Sequence, residues 1–295
     1  MARSSLLHER RLLTIRFGVL GGNSFVANAA VMPAIKASAG AELVAVGSRS
    51  GSTSYEDVLA DPLVDIVYIP LPNAMHAEWT SRAAAAGKHV LCEKPLAPTA
   101  AVAAEMIASC AKAGVRLFEA WMTPFSPPWA EAVADARAAA ATTITSRFTF
   151  TIGPGNEDNY RWDPDQGGGA LLDVGIYTLG APVELWGANP STVHTKIEAA
   201  PSGVDLTATY TLTWENGEVC SSVVSFGLPE AQELRLTGPG FDRTLVDDVH
   251  TGVDGTYTRM IDAVCADLGG GTPFPRRIED SVAMLTLIER IRSAA

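Results

Sequence analysis

The stretch LLTIRFGVLGGNSFVANAA, residues 12–30, decides how the rest of the chain is read. Residues 12–20 form an apolar run of strand length, and residues 27–38 carry helix formers. Between them stand Gly21, Gly22, Asn23, Ser24 and Phe25. A strand that turns on glycines into a helix lets the backbone approach a pyrophosphate and aims the helix N-terminus at its charge. The spacing departs from G-x-G-x-x-G, because Asn23 stands where a third close glycine could be and Ala27 replaces the last one. A glycine turn after a strand is often merely a turn. Its position after the first strand gives this one weight.

Outward from that turn, short apolar runs alternate with Ala-rich segments. Residues 42–47, 65–69, 89–92 and 115–119 read as strands, and residues 74–86 and 99–113 as helices. Strands of this kind, separated by helices, imply a parallel sheet covered on both faces, with ligands bound beyond the carboxyl ends of its strands. The second half changes period. Residues 143–152, 193–199, 206–214 and 219–226 alternate apolar and polar positions, as a sheet with one covered face requires. Helices are expected over 170–186, 256–268 and 278–293. The fold class is therefore α/β, with an N-terminal Rossmann dinucleotide-binding domain over residues 1–120. Residues 121–295 make a C-terminal α+β domain with an open, mostly antiparallel sheet for substrate binding and oligomerisation. The free face of that sheet is expected to be apolar and to join the chain into a homodimer or homotetramer.

Composition narrows the partners. A formal net charge of -11 argues against nucleic acid and against an anionic membrane surface, both of which need basic patches. Cys92, Cys110, Cys220 and Cys265 show no CxxC spacing and no pairing with nearby histidines, so neither a metal site nor a disulfide framework is expected. No apolar run reaches the length of a membrane helix. Residues 1–11 are basic, with Arg10 and Arg11 adjacent, yet the apolar run after them is needed as the first strand. A cytoplasmic chain is the expectation rather than an exported one.

The candidate binding residues sit where the strands end. The second strand runs into Gly47-Ser48-Arg49-Ser50. A ribose 2′-hydroxyl is usually held by an acid at this point and a 2′-phosphate by arginine, so NADP(H) is favoured over NAD(H). A solvated loop arginine is the plain alternative. The loops Pro70-Leu71-Pro72-Asn73 through His76, and Glu93-Lys94-Pro95, lie at the same sheet edge, and the proline fixes the direction in which the chain leaves Lys94. Trp121, Phe125, Trp129, Tyr160 and Trp162 cluster near the domain junction, where Tyr160, Arg161 and Trp162 are either cofactor and substrate contacts or core. Asp173 and Tyr177 are four apart on one expected helix face.

The glycine turn, Asn73-x-x-His76, Gly87 through Glu93-Lys94-Pro95, and Gly167-Gly-Gly-Ala-Leu-Leu-Asp173-Val-Gly175-Ile-Tyr177 together resemble the glucose–fructose oxidoreductase / inositol dehydrogenase family over nearly the whole chain. The resemblance implies that Lys94 lies beside the nicotinamide and the substrate hydroxyl. It also implies that Glu93 touches the nicotinamide ribose and that Asn73 and His76 line the cofactor channel. Many members carry histidine where this chain has Tyr177. That departure is similar to the branch with dihydrodiol and xylose dehydrogenases, in which this tyrosine donates the proton. Two further departures are a helix largely missing between Arg49 and Tyr55, which bears on the adenine side, and a shortened segment over residues 236–256, which bears on the sheet.

The expected reaction is hydride transfer between a nicotinamide and the CH–OH or C=O carbon of a sugar-like, polyhydroxylated substrate. Tyr177 exchanges the hydroxyl proton. Lys94 stabilises tyrosinate or polarises the substrate oxygen, and Asp173 accepts hydrogen bonds from substrate hydroxyls. Redox-neutral, nicotinamide-dependent glycoside hydrolysis and non-catalytic binding of a nucleotide or sugar are the alternatives. The sequence names neither the substrate nor the direction of the reaction.

Overall fold

Strands with no polar face must be buried on both sides, and Ile66–Ile69 (β3) reads Ile-Val-Tyr-Ile with every residue buried. The computed structural model describes residues 14–153, 155–156, 158–247, 249 and 254–295. The basic segment 1–11 and the first residues of the expected opening strand lie outside them. Around β3 run Ile15–Leu20 (β1), Ala41–Gly47 (β2), His89–Glu93 (β4) and Leu117–Ala120 (β5), all in parallel, in the order β2-β1-β3-β4-β5. The chain goes from β1 to one neighbour and returns on the other side as β3. This leaves a crevice beyond their carboxyl ends.

The covering helices follow from local signals. Met32–Ala37 (α1) continues a π turn at Ala27–Val31. Tyr55–Ala60 (α2) starts on a capping box between Ser54 and Asp57, and it is short, as the sequence between Arg49 and Tyr55 suggested. His76–Ala85 (α3) and Ala100–Ala113 (α4) complete this half; Thr99 caps α4 and Gly114 closes it in the left-handed conformation.

After Pro127–Ala138 (α5), to which the sequence reading assigned no element, comes a six-stranded sheet. Thr143–Thr151 (β6) lies at its centre. Ala170–Trp186 (α6) then crosses before Thr192–Ala199 (β7), Asp205–Thr213 (β8) and Val219–Ser225 (β9). Only β6 and β9 pair in parallel. The sequence reading assigned no element to residues 227–246. Gly227–Gly238 (β10) and Phe241–Val246 (β11) form a hairpin on the edge of the sheet. Pro229, Glu230 and Gln232 break the alternation that marks a strand, and only Leu234 and Leu236 reach the core.

The free face of this sheet also departs from expectation, because it is not apolar. The register sets Thr143, Thr145 and Arg147 beside Val219, Ser221 and Val223, and these beside Thr213, Thr211 and Thr209. The result is a surface of hydroxyls with scattered valines. The opposite face, with Phe148, Cys220, Val224, Tyr210 and Leu212, is buried against α6. Residues 170–182 of α6 are buried without interruption. Its first turn is capped from a distance: Leu171 N donates to Asp205 on β8, and Arg292 holds the other carboxylate oxygen at 2.9 Å.

Thr256–Leu268 (α7) packs on α1 and β2, where Ser38 Oγ donates to Asp262, and Glu279–Ser293 (α8) packs on α4 and α6. Among the described residues no helix is long and apolar enough to cross a membrane, no acidic, histidine or cysteine cluster could hold a metal ion, and the cysteines are free and buried.

Gly180 on α6 abuts the Trp121 indole, and a Cβ there would stand 2.5 Å from Trp121 Cζ2. Trp121 is itself fixed by Trp129 and by the Arg276 guanidinium. Gly180→Ala should therefore destabilise the fold by about 1–3 kcal/mol through overpacking, read as a lowered Tm in thermal denaturation. An unchanged Tm would show that the indole moves freely.

Candidate active site

The glycine turn is held shut from both sides. Gly21 N and Gly22 N both donate to Gly47 O, at 3.0 and 2.9 Å, so the turn is tied to the end of β2. A Cβ on Gly22 would stand 2.5 Å from Val46 Cγ1, which leaves no room for a side chain. Asn28, a residue the sequence reading passed over, donates from Nδ2 to Gly22 O (2.6 Å) and Ser24 O (2.8 Å). Asn28 thus braces the turn into the helix, whose first amides have no intrahelical acceptors, as an anion site needs. Phe25 is 86% exposed there, an unusual position for a large aromatic unless a flat group covers it. Asn23 links the turn to Ser50 at 3.1 Å. Arg49 is exposed and has no ion-pair partner among the described residues.

A cavity of about 600 Å³ starts at this turn. Its wall includes Gly21, Asn23, Ser24 and Phe25, then Ser48 and Arg49, then Pro70, Leu71 and Asn73. At its other end it meets Glu93, Lys94, Arg161, Asp173 and Tyr177. Three expected residues stay off the wall. Gly22 lies behind the turn against Val46, and Trp162 packs edge-on to Phe226 at 5.9 Å. His76 is fully buried, its ring spanning from Leu71 O (Nε2, 2.8 Å) to Pro95 O (Nδ1, 3.0 Å). It clasps the loops after β3 and β4 rather than lining a channel, and burial pulls its pKa down. Asn73 does both jobs: it lines the cavity and donates to Gly167 O at 2.8 Å. Val26, Tyr55, Pro72, Met122 and Tyr257 also line the cavity and were missed. For Tyr257, at the start of α7, no local motif gave a signal.

The electrostatic centre is Asp173, whose side chain is 3% exposed. Lys94 Nζ donates to its Oδ1 at 3.0 Å and to its backbone carbonyl at 2.8 Å, while Arg161 Nε donates to Oδ2 at 2.6 Å. Burial alone would raise the carboxyl pKa; Lys94 and Arg161 overcome it and hold the group far below the usual carboxylate range. Burial would likewise lower the Lys94 pKa, yet Asp173 drives it up. Both charges persist at neutral pH. Glu93 behaves differently: burial pushes its pKa up to about 7, against the hydrogen bond it accepts from Tyr68 at 2.7 Å.

Tyr177 stacks on Phe148, with ring centroids 4.6 Å apart, and the Lys94 ammonium lies over its ring at 4.9 Å. Burial, followed by the nearby Glu93 and Asp173, raises its pKa well above that of a free phenol. The Lys94 charge is paired with Asp173, and Tyr177 is a neutral phenol at neutral pH.

A second carboxylate braces the lysine loop from behind. Glu119, at the end of β5, accepts from Leu96 N (2.9 Å) and from Ser281 Oγ (2.7 Å), and it pairs with Arg276. It joins the segment after Lys94 to the start of α8.

The chain matches two family models. One is described as an oxidoreductase family with an NAD-binding Rossmann fold, over residues 38–120; the other is the GFO/IDH/MocA C-terminal domain, over residues 130–240. It is 34% identical to D-xylose 1-dehydrogenase (NADP(+)) 2 of Haloferax volcanii, covering 95% of this chain and 97% of that one. Identity to a scyllo-inositol 2-dehydrogenase (NADP(+)) of Bacillus subtilis is 29%, covering 93% and 88% of the two chains. The crystal structure of an aldose-aldose oxidoreductase from Caulobacter crescentus, complexed with glycerol, superposes with a TM-score of 0.84 at 26% identity, covering 96% of this chain and 98% of that one.

Neutralising Asp173 would leave two buried cations without a partner. Asp173→Asn should cost about 3–5 kcal/mol at pH 7, the usual loss when one member of a buried ion pair is removed. The depressed pKa sets the sign: the carboxylate contributes its stability above the unfolded pKa and loses it as pH falls toward the folded value. The gap in Tm between wild type and variant should therefore narrow below about pH 4. A gap that stays constant down to pH 2.5 would show that Asp173 carries no such linkage.

Proposed function

The chain belongs to the GFO/IDH/MocA family of oxidoreductases, and we propose from that premise that the cavity holds NADP(H) and a polyhydroxylated substrate side by side. The enzyme is an NAD(P)-dependent oxidoreductase that transfers hydride between NADP(H) and the CH–OH or C=O carbon of a sugar-like compound. The observation that carries the assignment of residues is the single cavity that runs from Ser48 and Arg49, past the glycine turn, to Lys94 and Tyr177. In this reading residues 1–120 bind the dinucleotide, and residues 121–295 supply the substrate side.

The residues present fit the cofactor. A glycine turn at a helix N-terminus, an exposed Phe25 and an Arg49 with no ion-pair partner among the described residues suit a pyrophosphate, a flat ring and a 2′-phosphate. When bound, NADP(H) supplies or takes the hydride. The protein does the rest. Tyr177 gives its phenolic proton to the substrate oxygen in reduction and takes it back in oxidation. The Lys94 ammonium, fixed by Asp173, polarises that oxygen. Asp173 acts first as the anchor of Lys94 and Arg161, and its remaining lone pairs can accept from substrate hydroxyls.

The free, buried cysteines suit a reducing compartment such as the cytoplasm, where this reading places the enzyme. A homodimer or homotetramer through the open sheet face belongs to it too. The contact would be made by threonine and serine hydroxyls around Val219 and Val223 rather than by an apolar patch.

Two substitutions test the assignment, with a panel of aldoses, inositols and their keto forms and nicotinamide absorbance as readout. Tyr177→Phe should lower turnover by about 10²–10⁴-fold with little change in NADPH affinity. In wild type, the raised phenol pKa should make oxidation climb with pH past the range of a free tyrosine, about 10. Near-normal turnover in the variant would leave Lys94 as the acid. Arg49→Ala should weaken NADPH binding by about ten- to a hundredfold while sparing NADH; equal losses for both would remove the 2′-phosphate contact. Glycoside cleavage with no net change in absorbance would replace the dehydrogenase reading with a redox-neutral hydrolase.

A further inference from the structure

Besides the turn that carries Arg161, three elements furnish the reacting end of the cavity, and only two of them have been assigned work. The loop after β4 brings Lys94, and α6 brings Asp173 and Tyr177; the third is the start of α7, which brings Tyr257 to the same wall. Its position is firmly set. Thr256 is buried beside it, Arg259 Nε donates to Phe125 O at 2.7 Å, and Asp262 accepts from Ser38 at 2.5 Å, so α7 is fastened to both halves of the chain.

The Tyr257 hydroxyl is nevertheless uncommitted. Other buried phenols have partners: Tyr68 donates to Glu93, and Tyr210 shares a 2.5 Å hydrogen bond with Thr178. Tyr257 is half-buried and makes no hydrogen bond to any described residue. A phenol in such surroundings ordinarily finds an acceptor or donor, and the cavity is where this one opens. Tyr160 and Tyr55 also line the cavity with hydroxyls that make no hydrogen bond among the described residues, but their rings are held by neighbouring side chains. The Arg161 guanidinium covers the Tyr160 ring at 4.8 Å, and Tyr55, at the start of α2 and next in the chain after the Ser48–Arg49 loop, packs against Trp79 on α3. Tyr257 stands in the reacting region. Burial first, then Tyr177 and Glu93, raise its pKa, while Lys94 acts in the opposite sense, so it remains a neutral phenol able to donate and accept.

Resting on the hydride-transfer reading, we propose that Tyr257 is a specificity-determining residue that hydrogen-bonds a substrate hydroxyl on a carbon next to the reacting one. The enzyme would then select vicinal polyols and hydroxy-ketones over their deoxy analogues. Tyr177 and Lys94 address the oxygen that changes oxidation state, and Tyr257 addresses a hydroxyl that does not.

The test is Tyr257→Phe, which keeps the ring and its packing. Wild type and variant are assayed with NADP+ on D-xylose, D-glucose and scyllo-inositol and on their monodeoxy analogues. NADPH affinity is followed in parallel by fluorescence. The expected result is a three- to tenfold loss of kcat/KM, mostly in KM, on the parent sugar, about the worth of one neutral hydrogen bond. One monodeoxy analogue should be used equally by both enzymes, and Tm and NADPH affinity should not move. Unchanged discrimination in the variant, or an equal loss on every analogue, would overturn the proposal while wild-type turnover upheld the dehydrogenase reading. Wild type inactive on every sugar would bring down both.

Discussion

A carboxylate that is 3% exposed can stay ionised only if cations are brought to it, and in this chain they come from different places. Lys94 arrives on the loop after β4, and Arg161 arrives from the short turn before α6. Because both must reach Asp173, the end of the parallel sheet and the central helix of the second half are set against each other. Tyr177, one helical turn beyond Asp173, inherits its place from that constraint, between the ring of Phe148 and the ammonium of Lys94. The supporting contacts serve the same arrangement. The His76 ring fixes the loop carrying Lys94 to the loop after β3, and Glu119 fixes the next segment to α8.

Committing the lysine charge to Asp173 changes how the chemistry is read. A lysine with no anion of its own would draw a neighbouring phenol toward ionisation. This one is satisfied, and the phenol feels burial and the carboxylates of Glu93 and Asp173 instead. A site of this kind keeps the phenol protonated at neutral pH.

Much of this was legible in the sequence because it depends on local pattern. The parallel sheet followed from apolar runs at strand length, and α6 from an apolar segment that opens on three glycines and is bounded by Gly187. The Lys94–Asp173–Tyr177 set followed from the resemblance of its motifs to the family, with spacing adding that Asp173 and Tyr177 share a helix face. What escaped notice depended on contacts between distant segments. His76 looked like a wall residue because its loop edges the cavity, yet its ring turns inward to backbone carbonyls. Tyr257 lies 80 residues beyond Tyr177 and enters through a helix that carries no motif. The β10–β11 hairpin was hidden by Pro229 and its polar neighbours, and the free sheet face was misjudged because threonine suits a strand without making it apolar.

The cap of α6 has a consequence for how the protein comes into being. Gly169, ahead of the helix, offers no side chain, so the first amides rely on Asp205, which follows 34 residues after Leu171 and is itself held by Arg292. During synthesis the parallel sheet can close as soon as β5 has emerged, whereas α6 waits for β8 and then for α8. A chain that has emerged only as far as β5 therefore holds every strand of the parallel sheet but not yet the carboxylate that caps α6.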